Sequence, residues 1–340
     1  MAFRVKMRFK RTQEGTSVPR KQPFFFSFAD TLLAELGGVP LDALHRDVDA
    51  IGRCYSAVQA IAERLGVPTP RPRIGGFSYT HVSTLGARVV FADGSEPNVL
   101  PILMKPEDID TMQEPDDYLS RGVAPQRIQV MEGLRKRHPN AGFSLDLAEG
   151  PLTTAGLLMG PQFFTLPYED PARTHRLLRF VVESSLNYNR AVSVLTGKTP
   201  GEGPVGICDD FAGMYPPELF DEFVLPYWER MYAEQHATER NLHSELLRVE
   251  HLPFLEHLGI AVFDPSADQY VSPPLLRKHC PVPFTARILT WQVRDLTVGQ
   301  LCRLYRDYAA CEPVRISFYM AFVSEEEKIS ALLETAREMA

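Results

Sequence analysis

His243-Ser244-Glu245 places an imidazole and a carboxylate two positions apart. On a strand such residues point the same way. Both side chains can therefore face one site, where they either hold a divalent metal such as zinc or share a hydrogen bond with no metal. Cys208, closing the apolar run 205–208, is the third ligand favoured by position, and its alternative role is that of a small buried thiol. Asp209-Asp210 follows at once. Two adjacent carboxylates cannot both enter a core cheaply, so at least one is expected to face a cleft. It would orient a polar substrate or act as general acid/base; the alternative is a turn and a helix cap near Pro216. Arg287 sits among apolar neighbours. A buried guanidinium needs a partner, so Arg287 is either in an internal salt bridge or a clamp for a substrate carboxylate or phosphate. Asp264 and Asp268 either cap the next segment or line the site. Tyr79, His81 and Tyr319 lie at further strand ends and are expected to contact substrate.

The elements that would carry these residues alternate between strand and helix. Strand-like runs are expected at 21–28, 73–81, 142–147, 205–208, 241–247, 260–263, 282–289 and 314–319. Helical spacing is expected over 41–65, 106–112, 125–138, 171–195, 217–237, 250–258, 273–279, 298–309 and 324–339. Gly66 reads as a helix stop, and Ser324 with Glu327 as a capping box. Residues 85–101 form an added β-hairpin, turning at Asp93-Gly94. About eight strand–helix units predict a (β/α)8 TIM barrel, with the chemistry at the C-terminal ends of its strands. Residues 1–21 form a basic N-terminal arm in which Arg4, Lys6, Arg8 and Lys10 alternate with apolar residues. Residues 22–340 form the barrel domain.

Composition narrows the function classes. A net charge of -7 argues against sequence-independent nucleic-acid binding, which needs a basic surface. No apolar run is long enough to span a membrane, and the start lacks an apolar signal core. Five scattered cysteines without a Cys-x-x-Cys pair suit a reduced, cytoplasmic protein. No G-x-G-x-x-G, P-loop or G-x-S-x-G segment is present. A homodimer through the basic arm is a further expectation.

Three stretches together resemble the uroporphyrinogen decarboxylase superfamily. They are Gly150-Pro151-Leu152-Thr153, then Asp209-Asp210-Phe211 with the helix Pro217-Glu218-Leu219-Phe220 through Pro226-Tyr227, and the hairpin Leu85-Gly86-Ala87-Arg88-Val89 with Glu96-Pro97. The resemblance runs over roughly residues 70–335 and implies a (β/α)8 barrel. The superfamily's decarboxylases carry an Arg-rich N-terminal loop, a Phe-Ser-Asp acid and a late Gly-His-Gly element. Here the matching stretches read Phe26-Ser27-Phe28-Ala29-Asp30, Phe77-Ser78-Tyr79 and Tyr319-Met320-Ala321-Phe322.

The other branch, corrinoid-dependent methyltransferases, holds zinc through His-x-Cys and a distant Cys. This chain has His243-x-Glu245 instead, and no Cys near Met320. The resemblance thus implies at most a variant zinc site on His243, Glu245 and Cys208, or with Asp209. A harder, oxygen-ligated metal would favour the oxygen of an ether or alcohol over a thiol. The first expectation is a methyltransferase component acting on a small O-methylated substrate with a corrinoid carried by a partner protein. The second is a metal-free decarboxylase of a porphyrinogen or other polycarboxylate. The third is a non-catalytic barrel that binds a corrinoid or a partner.

Overall fold

The computed structural model describes residues 21–91, 95–199 and 203–340. The basic arm expected over 1–21 lies outside these apart from Lys21, as does the Asp93-Gly94 turn. The chain is mixed α/β. Its strands are β1 (Phe24–Phe28), β2 (Arg88–Val90), β3 (Asn98–Leu100), β4 (Pro204–Cys208), β5 (Glu239–His243), β6 (Ile260–Asp264), β7 (Ala286–Arg287) and β8 (Ile316–Met320). β2 and β3 form the expected antiparallel hairpin, and every other pairing is parallel.

Two runs, β4-β5-β6 and β7-β8-β1, join into one ladder. Phe263 on β6 bridges Phe284, and the Thr285 amide donates to the Phe263 carbonyl at 2.9 Å. On the other side the Val314 amide donates to the Phe284 carbonyl at 2.8 Å. Six parallel strands therefore run β4-β5-β6-β7-β8-β1. Laid flat they would be roughly 24 Å across. Yet Gly206 on β4 and Pro23, just before β1, line one cavity, so the sheet curls round on itself.

Alternation along the strands fixes what faces that interior. On β8, Ile316, Phe318 and Met320 are fully buried against the helices, which turns Ser317 and Tyr319 inward. On β5, Leu242 is buried against helices while Asn241 and His243 face the cavity.

Several expectations need correction. Residues 73–81 and 142–147 are not strands: the first leads into a helix, Thr80–Thr84, and neither joins the ladder. The Asp146 carboxylate instead takes the Thr80 amide (3.1 Å) and hydroxyl (2.6 Å), pinning the two segments side by side. The helix expected over 217–237 is broken into Pro217–Leu219, Phe220–Phe223 and Leu225–Glu234. Pro226 explains the break, because its ring forbids the preceding turn from continuing as helix. The capping box assigned to Ser324 and Glu327 is also displaced. The buried Glu325 carboxylate takes the Ala321 and Phe322 amides at 2.8 and 3.2 Å. Gly66, at φ 60°, does close the helix Val48–Arg64.

Candidate active site

The site is built around β4, β5 and β6, whose C-terminal residues Cys208, His243 and Asp264 stand side by side in register. His243 Nδ1 lies 3.2 Å from Asp264 Oδ2, and Nε2 lies 3.5 Å from Asp210 Oδ1. Burial alone would lower the pKa of the imidazole. The Asp264 hydrogen bond and the charges of Asp210 and Asp264 outweigh it, so His243 is raised above its ordinary value. Asp264 shows the reverse balance. Burial opposes its charge, but hydrogen bonds from His243 and the Thr285 hydroxyl (2.7 Å) hold it well below the carboxylate range. The Ser266 amide adds a third bond at 3.0 Å, made where Ser266 takes φ 53° in the tight loop after β6.

Arg287 lies 3.7 Å from Asp264 and stacks over the Tyr319 ring, 5.5 Å from its centroid. Its Nε is buried with no partner. Both alternatives for Arg287 are therefore half realised: a loose internal ion pair with donor capacity to spare. Tyr319 sits inside the site beneath this cation. Tyr79 packs edge-on against Phe77, and burial followed by the charge of Glu149 raises its hydroxyl above the ordinary range.

Glu149, not singled out from the sequence beyond its place at a strand end, is the most perturbed carboxyl here. Burial pushes it up to about 8; Asp210 and Asp209 add to the rise, while Ser78 and His243 oppose it. Its Oε2 is buried without a partner. Burial thus favours the protonated form of Glu149, whose charge is felt by Asp210, Asp209 and His243. Nothing local distinguishes Glu149 in the sequence; its burial depends on β4 and on Ser78, which lies 71 positions away in the chain.

Asp209 takes a different part from the catalytic one expected. Its side chain is fully buried and accepts the Leu152 amide (3.2 Å), the Thr153 amide (2.7 Å) and the Trp228 indole N–H (2.6 Å). It is turned away from the mouth, and Asp210 alone faces His243. A Cβ on Gly150 would lie 2.4 Å from the Asp209 Cβ, so only glycine lets the helix Pro151–Met159 bring its first amides onto that carboxylate. Burial pushes Asp209 up to about 6 despite these bonds.

His81 is likewise removed from the substrate contacts. It is fully enclosed between Tyr118 and Tyr188 with Nε2 3.2 Å from the Ser184 hydroxyl, and burial lowers it to about 3.

Among the described residues no three His, Cys, Asp or Glu side chains converge as metal ligands. The set His243, Glu245 and Cys208 does not fit zinc. Both nitrogens of His243 are directed at carboxylates, and the Glu245 carboxylate takes the Ala267 amide at 3.4 Å. Burial first, then Glu149 and Asp210, pushes the Cys208 thiol up to about 12.

The family model for uroporphyrinogen decarboxylase (URO-D) matches residues 77–279, more than half of the chain. The chain belongs to the URO-D family. That fold is a TIM barrel, consistent with the curled parallel sheet. The segments that carry the URO-D likeness also gain a physical account: Gly150-Pro151-Leu152-Thr153, Asp209 and the helix bearing Trp228 form one buried hydrogen-bonded knot. Among solved structures, a methyltransferase from Methanosarcina mazei is similar, with a TM-score of 0.68 at 16% identity over 94% of each chain. At that identity the likeness speaks for the fold. No curated protein matches the chain.

Proposed function

We propose that this URO-D family member is a methyltransferase component that takes the methyl group of a small O-methylated substrate and passes it to a corrinoid carried by a partner protein. Residues 72–78 and 142–149, though not paired as strands, would occupy the two remaining places of a closed (β/α)8 barrel; the Gly142 amide donates to the Pro72 carbonyl at 2.8 Å and the Gly150 amide to the Cys208 carbonyl at 2.6 Å. The observation that carries the functional reading is the buried Glu149 carboxyl, whose Oε2 has no hydrogen-bond partner and which burial pushes up to about 8. An ether oxygen leaves poorly as an anion. As its bond to the methyl carbon breaks, the electron pair stays on oxygen, and Glu149 donates its proton there. Water then reprotonates the carboxylate. Asp264 and Asp210 orient His243 and favour its charged form, and Tyr79 and Tyr319 flank the substrate. No step is assigned to zinc. The five cysteines are free, in keeping with a reducing, cytoplasmic setting.

The mouth is poor in unpaired cations for a polycarboxylate. Among the described residues Arg287 faces Asp264, Arg73 pairs with Asp30 just after β1, and Arg127 pairs with Asp146. Decarboxylation of a substrate with a single carboxylate has one observation in its favour, the unpartnered Nε of Arg287.

The test is a panel of methoxy compounds with free cob(I)alamin as acceptor, read in the visible spectrum, beside a porphyrinogen decarboxylation assay. Methylation of the acceptor that falls about a hundredfold or more in Glu149→Gln supports the reading. Release of carbon dioxide from porphyrinogens, or methyl transfer indifferent to Glu149→Gln, overturns it.

A further inference from the structure

Beneath His243 and Asp264 the interior of the curled sheet is open. A cavity of about 530 Å³ runs from these residues down to Pro23, Val314 and Arg315 at the opposite ends of the strands. That volume is within the range of small-molecule sites. The interior of a (β/α)8 barrel is ordinarily filled by layers of large branched side chains. Here one layer is made of Gly206, Asn241 and Val262, which are register partners on β4, β5 and β6.

Gly206 is the informative residue. It lies mid-strand without a positive φ, so its backbone does not call for glycine. A Cβ built on it meets no atom within 4 Å, so packing does not call for glycine either. A strand glycine often marks a bulge, a bend or the close approach of a ligand; β4 pairs with β5 without a register shift, and the space over Gly206 is open, which leaves room for a ligand. Next to it, the Asn241 Nδ2 donates to Glu239 Oε1 at 2.9 Å, which fixes the amide orientation and leaves Oδ1 buried without a partner.

At the far end Arg315 lines the cavity with its guanidinium over the Phe25 ring. Among the described residues it has no carboxylate within 4 Å. Arg315 lies four positions before Tyr319 at the mouth, about 13 Å along the strand.

We propose that this cavity is a binding site for a slender molecule bearing a terminal carboxylate. The molecule enters past His243, passes over Gly206 and ends at Arg315. The proposal does not depend on which group is transferred at the mouth. Nor does it conflict with the scarcity of unpaired cations there, since it needs only one anionic end.

The experiment is calorimetric titration of the full chain with octanoate, octanol and octylammonium. The expected order is octanoate tightest, octanol at least tenfold weaker, and octylammonium weakest. Arg315→Gln should erase the preference for octanoate over octanol while octanol affinity stays unchanged. Gly206→Leu should abolish binding of all three, with folding checked by circular dichroism. Equal affinity for the acid and the alcohol in the native chain overturns the proposal. So does an octanoate preference that survives Arg315→Gln, or undiminished binding in a folded Gly206→Leu variant. If Gly206→Leu does not fold, the Arg315→Gln arm decides alone. Methyl-transfer activity is not part of the readout, so a failure here is separate from a failure of the functional reading above.

Discussion

His243 Nδ1 lies 3.2 Å from Asp264 Oδ2, and this contact sets the charge at the centre of the site. Asp264→Asn keeps the shape and removes the charge. The pKa of His243 should then fall toward its ordinary value. The imidazole resonances, followed by NMR against pH, would report the change. Turnover should drop about tenfold to a hundredfold. An unmoved His243 titration would mean that Asp210 alone raises it. The folded-state pKa is raised, so the stability this contact contributes is complete below about pH 6.5 and is lost as pH rises through the folded value.

Glu149 carries the opposite linkage. It binds its proton more tightly in the folded chain, up to about 8, so it weakens the fold progressively as pH rises from about 4.5 through about 8. Glu149→Gln should therefore be more stable than the native chain at pH 9, on the order of 4–5 kcal/mol, and nearly equal to it at pH 4. Urea unfolding at the two pH values checks this. Activity in the native chain should decline above about pH 8, where the acid loses its proton.

Asp209 makes a prediction of another kind. Asp209→Ala strands the Trp228 indole N–H and the Leu152 and Thr153 amides in the core. Stability should fall by about 2–4 kcal/mol. The pH profile of whatever activity survives should keep its midpoint, because Asp209 points away from the mouth. A shifted profile with unchanged stability would restore Asp209 to the chemistry.

His81→Phe should leave turnover within about twofold, because the ring is enclosed by Tyr118 and Tyr188 and is neutral at working pH. A large loss of substrate affinity would contradict this placement.

Much of this was legible in the sequence. The strand ends at Cys208, Asp264 and Tyr319 follow from apolar runs that stop at polar residues; the strand expected over 241–247 instead spans Glu239–His243, and all four residues reach the site. Residues 73–81 misled because their β-like composition carries two glycines, and the Asp146 carboxylate holds the helix Thr80–Thr84 in place of a ladder. Asp209 and Asp210 could not be told apart in sequence. Which one turns inward depends on Gly150 and Trp228, which are remote in the chain. His81 was misplaced for the same reason, since the helix that carries it aims it at Ser184. Glu149 stands out only through burial, which no local spacing encodes. No helix among the described residues is long and apolar enough to cross a membrane, in line with the absence of a long apolar run.

The proposed proton transfer requires Glu149 to keep its proton at neutral pH. Infrared difference spectroscopy of the full chain against pH, with Glu149→Gln as the subtraction, measures this directly. The account predicts a protonated carboxyl band at pH 7 that disappears with a midpoint near 8 and is absent from the variant. A Glu149 carboxyl already ionised at pH 6 would contradict it.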